Sequence, residues 1–308
     1  TGVVVSMVVV AVIVSINYTI IGKLWPVIYF IDVLLLGLVL TTSKINGVSG
    51  WFQFLDRTFQ PSELAKVAVI LFLSWLIERN VKKMGKIRTL LKILLPVLPA
   101  VALVGASNLS TAVIILGISV LLIFAASPKY AQFIWLAVAG SGFMAIFLAL
   151  ESYRLERIAI WRNPEQYEKG YQTLQGLYAI GSGGLFGRGL GNGVQKLGFL
   201  PEAQNDMIFS VICEEVGLVG ACLLLVLFLL LIWRFFVIAV HAADLSGALI
   251  ACGAMAHIMI QVVLNIAVVT NSIPNTGITL PFISYGGTSV VFLLLEMGLV
   301  LNVSYLIE

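Results

Sequence analysis

Asp206 is the side chain in this sequence that is best placed to act as a general base. It ends the LPEAQND segment, residues 200–206, and the apolar residues Met207 and Ile208 follow at once. A carboxylate partly withdrawn from water has a raised pKa, which suits a group that takes up a proton near neutral pH. Aspartate is also a good helix N-cap, so a structural role is the alternative that these residues leave open.

Three basic side chains, Arg154, Arg157 and Lys196, precede Asp206 in one hydrophilic stretch, residues 151–206. Arginine and lysine neutralise phosphate groups, so these residues are candidates for binding a diphosphate, although a solvated rim would look the same. The glycine-rich run at 179–187 permits a close approach of backbone to a phosphate, or forms a flexible turn.

Two further groups of polar residues lie within apolar sequence. Glu214 and Glu215 are costly in a bilayer, so they indicate a functional site, an internal ion pair, or side chains that reach water at the end of a span. His257, Gln261 and Asn265 are spaced by four and share one helical face. We expect this polar stripe to hydrogen-bond to other helices rather than to face lipid; a path for a transported substrate is the alternative.

The segment 271–285 connects two apolar runs and holds prolines at positions 274 and 281. These prolines disfavour a simple helix. Irregular backbone at membrane depth is tolerated only inside the protein or along a cavity, so we expect this segment to fold back and line a cavity.

The composition indicates a membrane protein. Of the 308 residues, 60% are hydrophobic and 11% are charged, whereas a soluble domain carries roughly 25% charged residues. With a net charge of only +3, we expect membrane lipid and not nucleic acid around this chain.

Nine apolar runs approach the ~20 residues that cross a hydrocarbon core as a helix. They predict an all-α polytopic membrane protein of about nine transmembrane helices, with one domain over residues 1–308 and a large loop at 151–206 between spans six and seven. The runs are 2–21, 24–43, 64–78, 90–105, 111–126, 131–150, 207–233, 246–270 and 286–307.

The orientation follows from the basic residues. Six lysines and arginines crowd the short connection at 79–92, and the positive-inside rule makes that connection cytoplasmic. Alternation along the chain then puts the loop at 151–206 and residue 1 outside the cell.

Five segments together give a specific family resemblance, with matching order and spacing across nearly the whole chain. The sequence resembles the shape, elongation, division and sporulation (SEDS) family. That family has ten spans and a cytoplasmic N-terminus, so nine spans with residue 1 outside fit a chain that lacks the first helix. The matching segments are 60–66 (QPSELAK), 171–172 (YQ), 179–184 (AIGSGG), 200–206 (LPEAQND) and 280–287 (LPFISYGG).

The resemblance implies an inverting peptidoglycan glycosyltransferase of the bacterial cytoplasmic membrane, with its active site outside. The family's catalytic aspartate follows a Pro-Glu-Ala pattern and therefore corresponds to Asp206. The substrate would be lipid II, an undecaprenyl-pyrophosphate disaccharide-pentapeptide, and the partner a class B penicillin-binding protein that crosslinks the peptides.

The expected substrate-binding residues complete this hypothesis. We expect no dedicated metal site; a divalent cation, Mg²⁺ or Mn²⁺, that assists at the diphosphate is left open. The residues expected to bind substrate are Arg154, Arg157, Lys196, Glu202, Gln204 and Ser284.

Two departures from the family pattern bear on activity. Gly50 precedes Trp51 where the family usually has a basic residue, and Asn108 stands where it usually has an aspartate. A lipid II flippase and a non-catalytic scaffold are the alternatives, and an assay of glycan polymerisation separates all three. The sequence does not distinguish a role in elongation from one in division or sporulation.

Overall fold

The computed structural model describes most of the chain between residues 10 and 307. The described residues are 10–11, 13–14, 18, 22, 24–42, 50–54, 57–134, 137–138, 140 and 152–307, with only the backbone of residues 54, 57 and 152–156.

The described residues are mainly helical. Short 3-10 turns join several helices, and prolines at 96 and 99 explain the turn between α3 and α4, because a proline removes a helical hydrogen bond. The elements are α1 (Trp25–Val39), β1 (Phe52–Phe54), β2 (Arg57–Phe59), α2 (Pro61–Asn80), α3 (Ile87–Leu94), α4 (Leu98–Ser107), α5 (Leu109–Ala126), α6 (Ser152–Arg162), α7 (Tyr171–Gly183), α8 (Ile208–His241), α9 (Leu245–Val269) and α10 (Gly287–Tyr305).

Five segments within the described residues are long and apolar enough to cross a membrane, so the chain is a multi-pass membrane protein. They are Ile87–Ser107, Leu109–Ala126, Ile208–His241, Leu245–Val269 and Gly287–Tyr305. The predicted runs at 24–43 and 64–78 also coincide with helices, α1 and α2. The runs at 2–21 and 131–150 fall largely outside the described residues, so the number of spans stays a prediction.

Two stretches expected to be loops contain regular structure. The stretch 151–206 includes the helices α6 and α7; within the glycine-rich run 179–187, residues 179–183 are the end of α7 and residues 184–186 form a turn. The connection before α2 contains an antiparallel hairpin, in which Phe52 pairs with Phe59 and Gln53 with Thr58. The sequence analysis missed this hairpin because each strand has only three residues.

The residues form two compact units. The first comprises Thr1–Tyr130, Ile232–Ile260 and Gly286–Glu308, and the second comprises Ala131–Leu231 and Gln261–Tyr285. Asp206 and the stretch 151–206 belong to the second unit.

The first unit is a helical bundle with buried charges. Helix α2 packs against α1, α5 and α10, and the ring of Tyr29 stacks on Phe72 with centroids 4.3 Å apart. Within this bundle Lys66 pairs with Glu63 at 2.9 Å, and His257 pairs with Glu296 at 2.8 Å. The buried carboxylates of Glu63 and Glu296 therefore each have a basic partner, which lowers the cost of burying them, whereas the buried carboxyl of Asp32 has no hydrogen-bond partner among the described residues.

In the second unit, α8 is interrupted at Gly217, whose backbone (φ 69°, ψ −170°) is not helical. Residues 184–189 fill the interruption: Arg188 N–H donates to the Glu214 carbonyl at 3.0 Å, and Leu218 N–H donates to the Gly184 carbonyl at 2.9 Å. A break at membrane depth needs such partners, because lipid offers none to the freed backbone groups.

Candidate active site

The turn between residues 198 and 207 presents Asp206. Gly198 and Glu202 have positive φ angles of 110° and 52°, and Asn205 N–H closes the turn on the Glu202 carbonyl at 2.9 Å. Asp206 is only 7% exposed. Burial raises the pKa of the Asp206 carboxyl to about 6, and the nearby charge of Glu202 acts in the same direction.

Asn265 of α9 holds the backbone of this turn. Its amide Nδ2 donates to the Asp206 carbonyl at 2.8 Å and to the Ile278 carbonyl at 2.7 Å. One helix turn earlier, Gln261 Nε2 donates to the Thr279 carbonyl at 3.0 Å. The same helical face therefore fixes both the turn that carries Asp206 and the irregular segment 274–280.

The prediction that the polar stripe avoids lipid is confirmed, since His257, Gln261 and Asn265 are all buried. The expected interhelical bond exists for His257, which pairs with Glu296 of α10. Gln261 and Asn265 bind the carbonyls of Thr279 and Ile278 in segment 274–280. This segment contains no helix and folds back onto α9, as its prolines predicted; the cavity stays a prediction.

Gln172 of α7 is a site residue to which the sequence analysis assigned no role. Its Nε2 lies 3.5 Å from Oδ1 of Asp206, and its Oε1 accepts a hydrogen bond from Asn275 Nδ2 at 3.1 Å. The bond from Asn275 turns the NH₂ group of Gln172 toward the carboxylate. The pair Tyr171–Gln172 in the family resemblance was the available signal.

Ser284 supports the turn from inside. Its Oγ donates to the Asn205 carbonyl at 2.7 Å and accepts from Leu280 N–H at 2.7 Å. Both bonds occupy a buried hydroxyl that the sequence analysis had expected to bind substrate. Glu202 and Gln204, by contrast, have exposed side chains.

The expected basic residues lie in different surroundings. Arg157 of α6 is exposed and donates from Nη1 to the Asn275 carbonyl at 3.3 Å. Lys196 pairs with Glu215, which neutralises its charge locally. The side chain of Arg154 lies outside the described residues.

Glu214 and Glu215 organise the loop that precedes the turn. Glu214 accepts from the backbone of Val194 and Gln195 at 3.0 and 3.2 Å, and Glu215 accepts from Gly191 at 3.1 Å. Glu214 is fully buried, so for this residue the alternative of reaching water is wrong. An ion pair with Arg188 at 3.5 Å fits the internal pairing that the sequence analysis considered.

The helix-cap alternative for Asp206 can be compared with the geometry. Helix α8 begins at Ile208, two residues after Asp206. The carboxylate interacts with the amides of Asp206 and Met207 and with Gln172, while Ser210 N–H bonds the Met207 carbonyl. An N-cap side chain accepts from the second or third helical residue, so this arrangement differs from a cap.

The described residues contain no group of three or more His, Cys, Asp or Glu side chains that could hold a metal ion. Glu202 is the acidic residue close enough to affect the Asp206 carboxyl electrostatically. The site therefore consists of one buried carboxylate, the amide groups that orient it, and an exposed arginine on α6.

Known proteins resemble this chain over almost its whole length. It is 40% identical to the stage V sporulation protein E of Bacillus subtilis (strain 168) over 270 residues. This match covers 84% of this chain and 72% of that protein. It is 37% identical to a probable peptidoglycan glycosyltransferase FtsW of Trichlorobacter lovleyi over 296 residues. This match covers 91% of this chain and 76% of that protein.

Solved structures share the fold. A chain from a peptidoglycan synthase complex that coordinates polymerization and crosslinking superposes with a TM-score of 0.84 at 28% identity, over 99% of this chain and 87% of that one. The rod shape determining protein RodA of Thermus thermophilus superposes with a TM-score of 0.71 at 28% identity, over 99% and 85%. The family profile of FtsW, RodA and SpoVE, described as cell cycle protein, matches residues 1–307. The chain therefore belongs to the FtsW, RodA and SpoVE family of cell cycle proteins.

Proposed function

We propose that this protein is a peptidoglycan glycosyltransferase that polymerises lipid II at the outer face of the bacterial cytoplasmic membrane. The observation that carries the proposal is the environment of Asp206: a buried carboxylate with a pKa of about 6 in a turn held by Asn265. Relatives at 35–37% identity are named probable peptidoglycan glycosyltransferases, and the family resemblance assigns the catalytic aspartate to this position.

Asp206 acts as the general base in this proposal. The acceptor sugar offers its 4-hydroxyl, and Asp206 takes that proton as the oxygen attacks C1 of the donor sugar. A carboxylate with a pKa near 6 is largely ionised at pH 7 and yet basic enough to accept a proton. Gln172 and the amides of Asp206 and Met207 hold the carboxylate in place.

The leaving undecaprenyl pyrophosphate needs charge compensation and not a proton. We assign this charge compensation to Arg157, an exposed basic residue of the second unit, because a guanidinium can bind two phosphate oxygens at once. Lys196 can take part only if its pair with Glu215 opens.

A divalent cation remains part of the proposal as a source of countercharge. Proteins usually hold Mg²⁺ through one or two carboxylates together with substrate phosphates. Asp206 and Glu202 are the carboxylates of this turn that would hold it. Activity after chelation, with and without added Mg²⁺ or Mn²⁺, tests this part.

The partner is a penicillin-binding protein of class B, which crosslinks what this chain polymerises. The similarity to a chain of a peptidoglycan synthase complex supports this assignment. Co-purification from native membranes tests it, and a clean isolate without any penicillin-binding protein counts against it.

The orientation places residues 79–92 in the cytoplasm and residues 151–206 outside. A cysteine at exposed Lys83 should react with an impermeant reagent only after the membrane is opened. A cysteine at exposed Glu165 should react in intact cells. Reaction of Lys83→Cys in intact cells contradicts the orientation.

Purified protein and lipid II test the activity itself. We expect glycan strands from the parent protein and none from Asp206→Asn. Movement of lipid II between leaflets without polymer would favour a flippase, and neither activity would favour a scaffold; either result overturns the proposal.

A further inference from the structure

A groove with a basic end lies on the first unit, where the end of α2 meets α3. Its volume is about 650 Å³, within the roughly 300–1,000 Å³ of ligand sites. Three cations line one part of it, and four leucines line another part, together with Asn80 and Thr89. The cations are Lys83, Arg88 and Lys92, and the leucines are Leu91, Leu94, Leu95 and Leu98. The reaction proposed above uses none of these residues.

The groove follows one face of a membrane-spanning segment. Arg88, Leu91 and Lys92 are spaced by three and four, so they share one face of α3. Leu95 and Leu98 follow in the 3-10 turn and at the start of α4, and they line the same groove. Leu91, Leu95 and Leu98 are exposed on the protein surface. Arg88 and Lys92 lie in the first turns of the span Ile87–Ser107, and Lys83 precedes it. This position puts the charges at the membrane interface and the leucines in the hydrocarbon.

The charges in the groove are uncompensated within the described part of the chain. No carboxylate there forms an ion pair with Lys83, Arg88 or Lys92. Arg79 lies over the ring of Trp75, 4.3 Å from its centroid, and tryptophan is enriched at the level of lipid headgroups. The groove therefore offers positive charge at the depth of a lipid phosphate.

The length of the groove from Arg88 to Leu98 matches one leaflet. Arg88 and Leu98 are ten positions apart, which is about 15–17 Å for α-helix at ~1.5 Å and one 3-10 turn at ~2.0 Å per residue. The hydrocarbon core is roughly 30 Å thick, so the leucines reach about its middle. One acyl chain in one leaflet covers the same depth.

We propose that this groove binds an anionic phospholipid, with its phosphate at Lys83, Arg88 and Lys92 and an acyl chain along Leu91, Leu95 and Leu98. The positive-inside rule accounts for the charge of the connection but requires no groove and no row of leucines below the cations. The proposal does not depend on the reaction or on the orientation of the chain, because it concerns whichever leaflet borders this end of α2.

The experiment compares two pairs of charge-removing variants in the purified protein. Arg88→Gln with Lys92→Gln changes the groove. Lys82→Gln with Lys86→Gln is the matched control, because both residues are exposed in the same connection but do not line the groove. Native mass spectrometry measures the binding of phosphatidylglycerol and of phosphatidylcholine with identical acyl chains.

We expect the parent and the control pair to prefer phosphatidylglycerol. The groove pair should weaken that binding roughly 10- to 30-fold, the scale of two cations near a membrane surface, and leave phosphatidylcholine binding unchanged. Lys83→Gln, which lies outside α3, serves as a second variant if the groove pair fails to fold. Equal losses in the two pairs, or no preference for the anionic lipid, overturn the proposal.

Discussion

Asn265 donates a hydrogen bond to the backbone carbonyl of Asp206 at 2.8 Å, across 59 residues of sequence. The same amide group donates to the carbonyl of Ile278. The fully buried side chain of Asn265 on α9 thus hydrogen-bonds both the turn that carries the proposed base and segment 274–280.

The first prediction concerns these two hydrogen bonds of Asn265. Asn265→Leu should lower the free energy of unfolding by about 2–6 kcal/mol, because each of two buried carbonyls left unpaired costs about 1–3 kcal/mol. Thermal unfolding of the purified protein measures the loss. Val263→Ala, at an exposed position on the same helix, is the control and should change stability little. Equal melting temperatures for the two variants would show that Asn265 does not hold the turn.

The second prediction separates a base from a cap. Asp206→Asn should reduce polymerisation roughly 100-fold or more, the usual scale for a general base. Asparagine keeps the size and the hydrogen-bonding reach of aspartate, and it removes a carboxylate that burial disfavours, so the melting temperature should not fall. Glu202→Gln, in the same turn but exposed, should reduce the activity far less than Asp206→Asn. Near-parent activity in Asp206→Asn would refute the assignment and shift it to Glu202.

The third prediction is a pH dependence of activity. Burial raises the pKa of Asp206 to about 6, and the base works only when ionised. Polymerisation should therefore be level above about pH 7 and fall roughly tenfold per unit well below pH 6. Rates measured from pH 5 to pH 8 test this. A level profile across that range would contradict a base with this pKa.

The stability of the fold should decrease with rising pH between about pH 4 and 6, whereas the activity should increase with pH. The folded pKa, about 6, lies above the unfolded value of 3.8, so the folded state binds more protons between these values. Stability should therefore fall as pH rises from about 4 to 6, because the slope follows the proton difference between the unfolded and folded states. Asp206→Asn lacks this group and should show a smaller fall over the same range.

The fourth prediction concerns the interruption of α8. A Cβ at Gly217 would lie 2.3 Å from the amide nitrogen of Gly187, and its φ of +69° strains other residues. Gly217→Ala should therefore destabilise the protein by more than about 2 kcal/mol. Gly181→Ala, inside α7 with no atom within 4 Å, should be neutral or stabilising because alanine favours helix. Thermal unfolding compares the two, and similar melting temperatures would contradict the close approach of residues 184–189.

The spacing of polar residues predicted a face but not its partners. His257, Gln261 and Asn265 share one side of α9 because helical geometry is local. Which groups they meet depends on contacts with Glu296, Thr279 and Ile278, and these distant contacts leave no periodic signal. The expected interhelical hydrogen bond is confirmed for His257, while Gln261 and Asn265 also hold an irregular segment that the spacing did not predict.

The proposed binding residues show the same limit. Lys196 has the charge to bind a phosphate, but in the fold it forms an ion pair with Glu215. The hydroxyl of Ser284 forms hydrogen bonds with two backbone groups. Gln172 had no expected role, yet α7 brings its amide to Asp206. Residue type shows what a side chain can do, and only its neighbours decide which of those interactions it makes.

The sequence by itself determined that this chain is a helical membrane protein of the FtsW, RodA and SpoVE family and that Asp206 is its candidate base. These properties are local, because hydropathy, spacing and motif order are read along the chain. The tertiary structure alone decided that α8 breaks at Gly217 to admit residues 184–189, and that Asn265 holds the turn of Asp206. Both arrangements satisfy buried backbone groups across long sequence distances, and that requirement arises only once the segments are packed together.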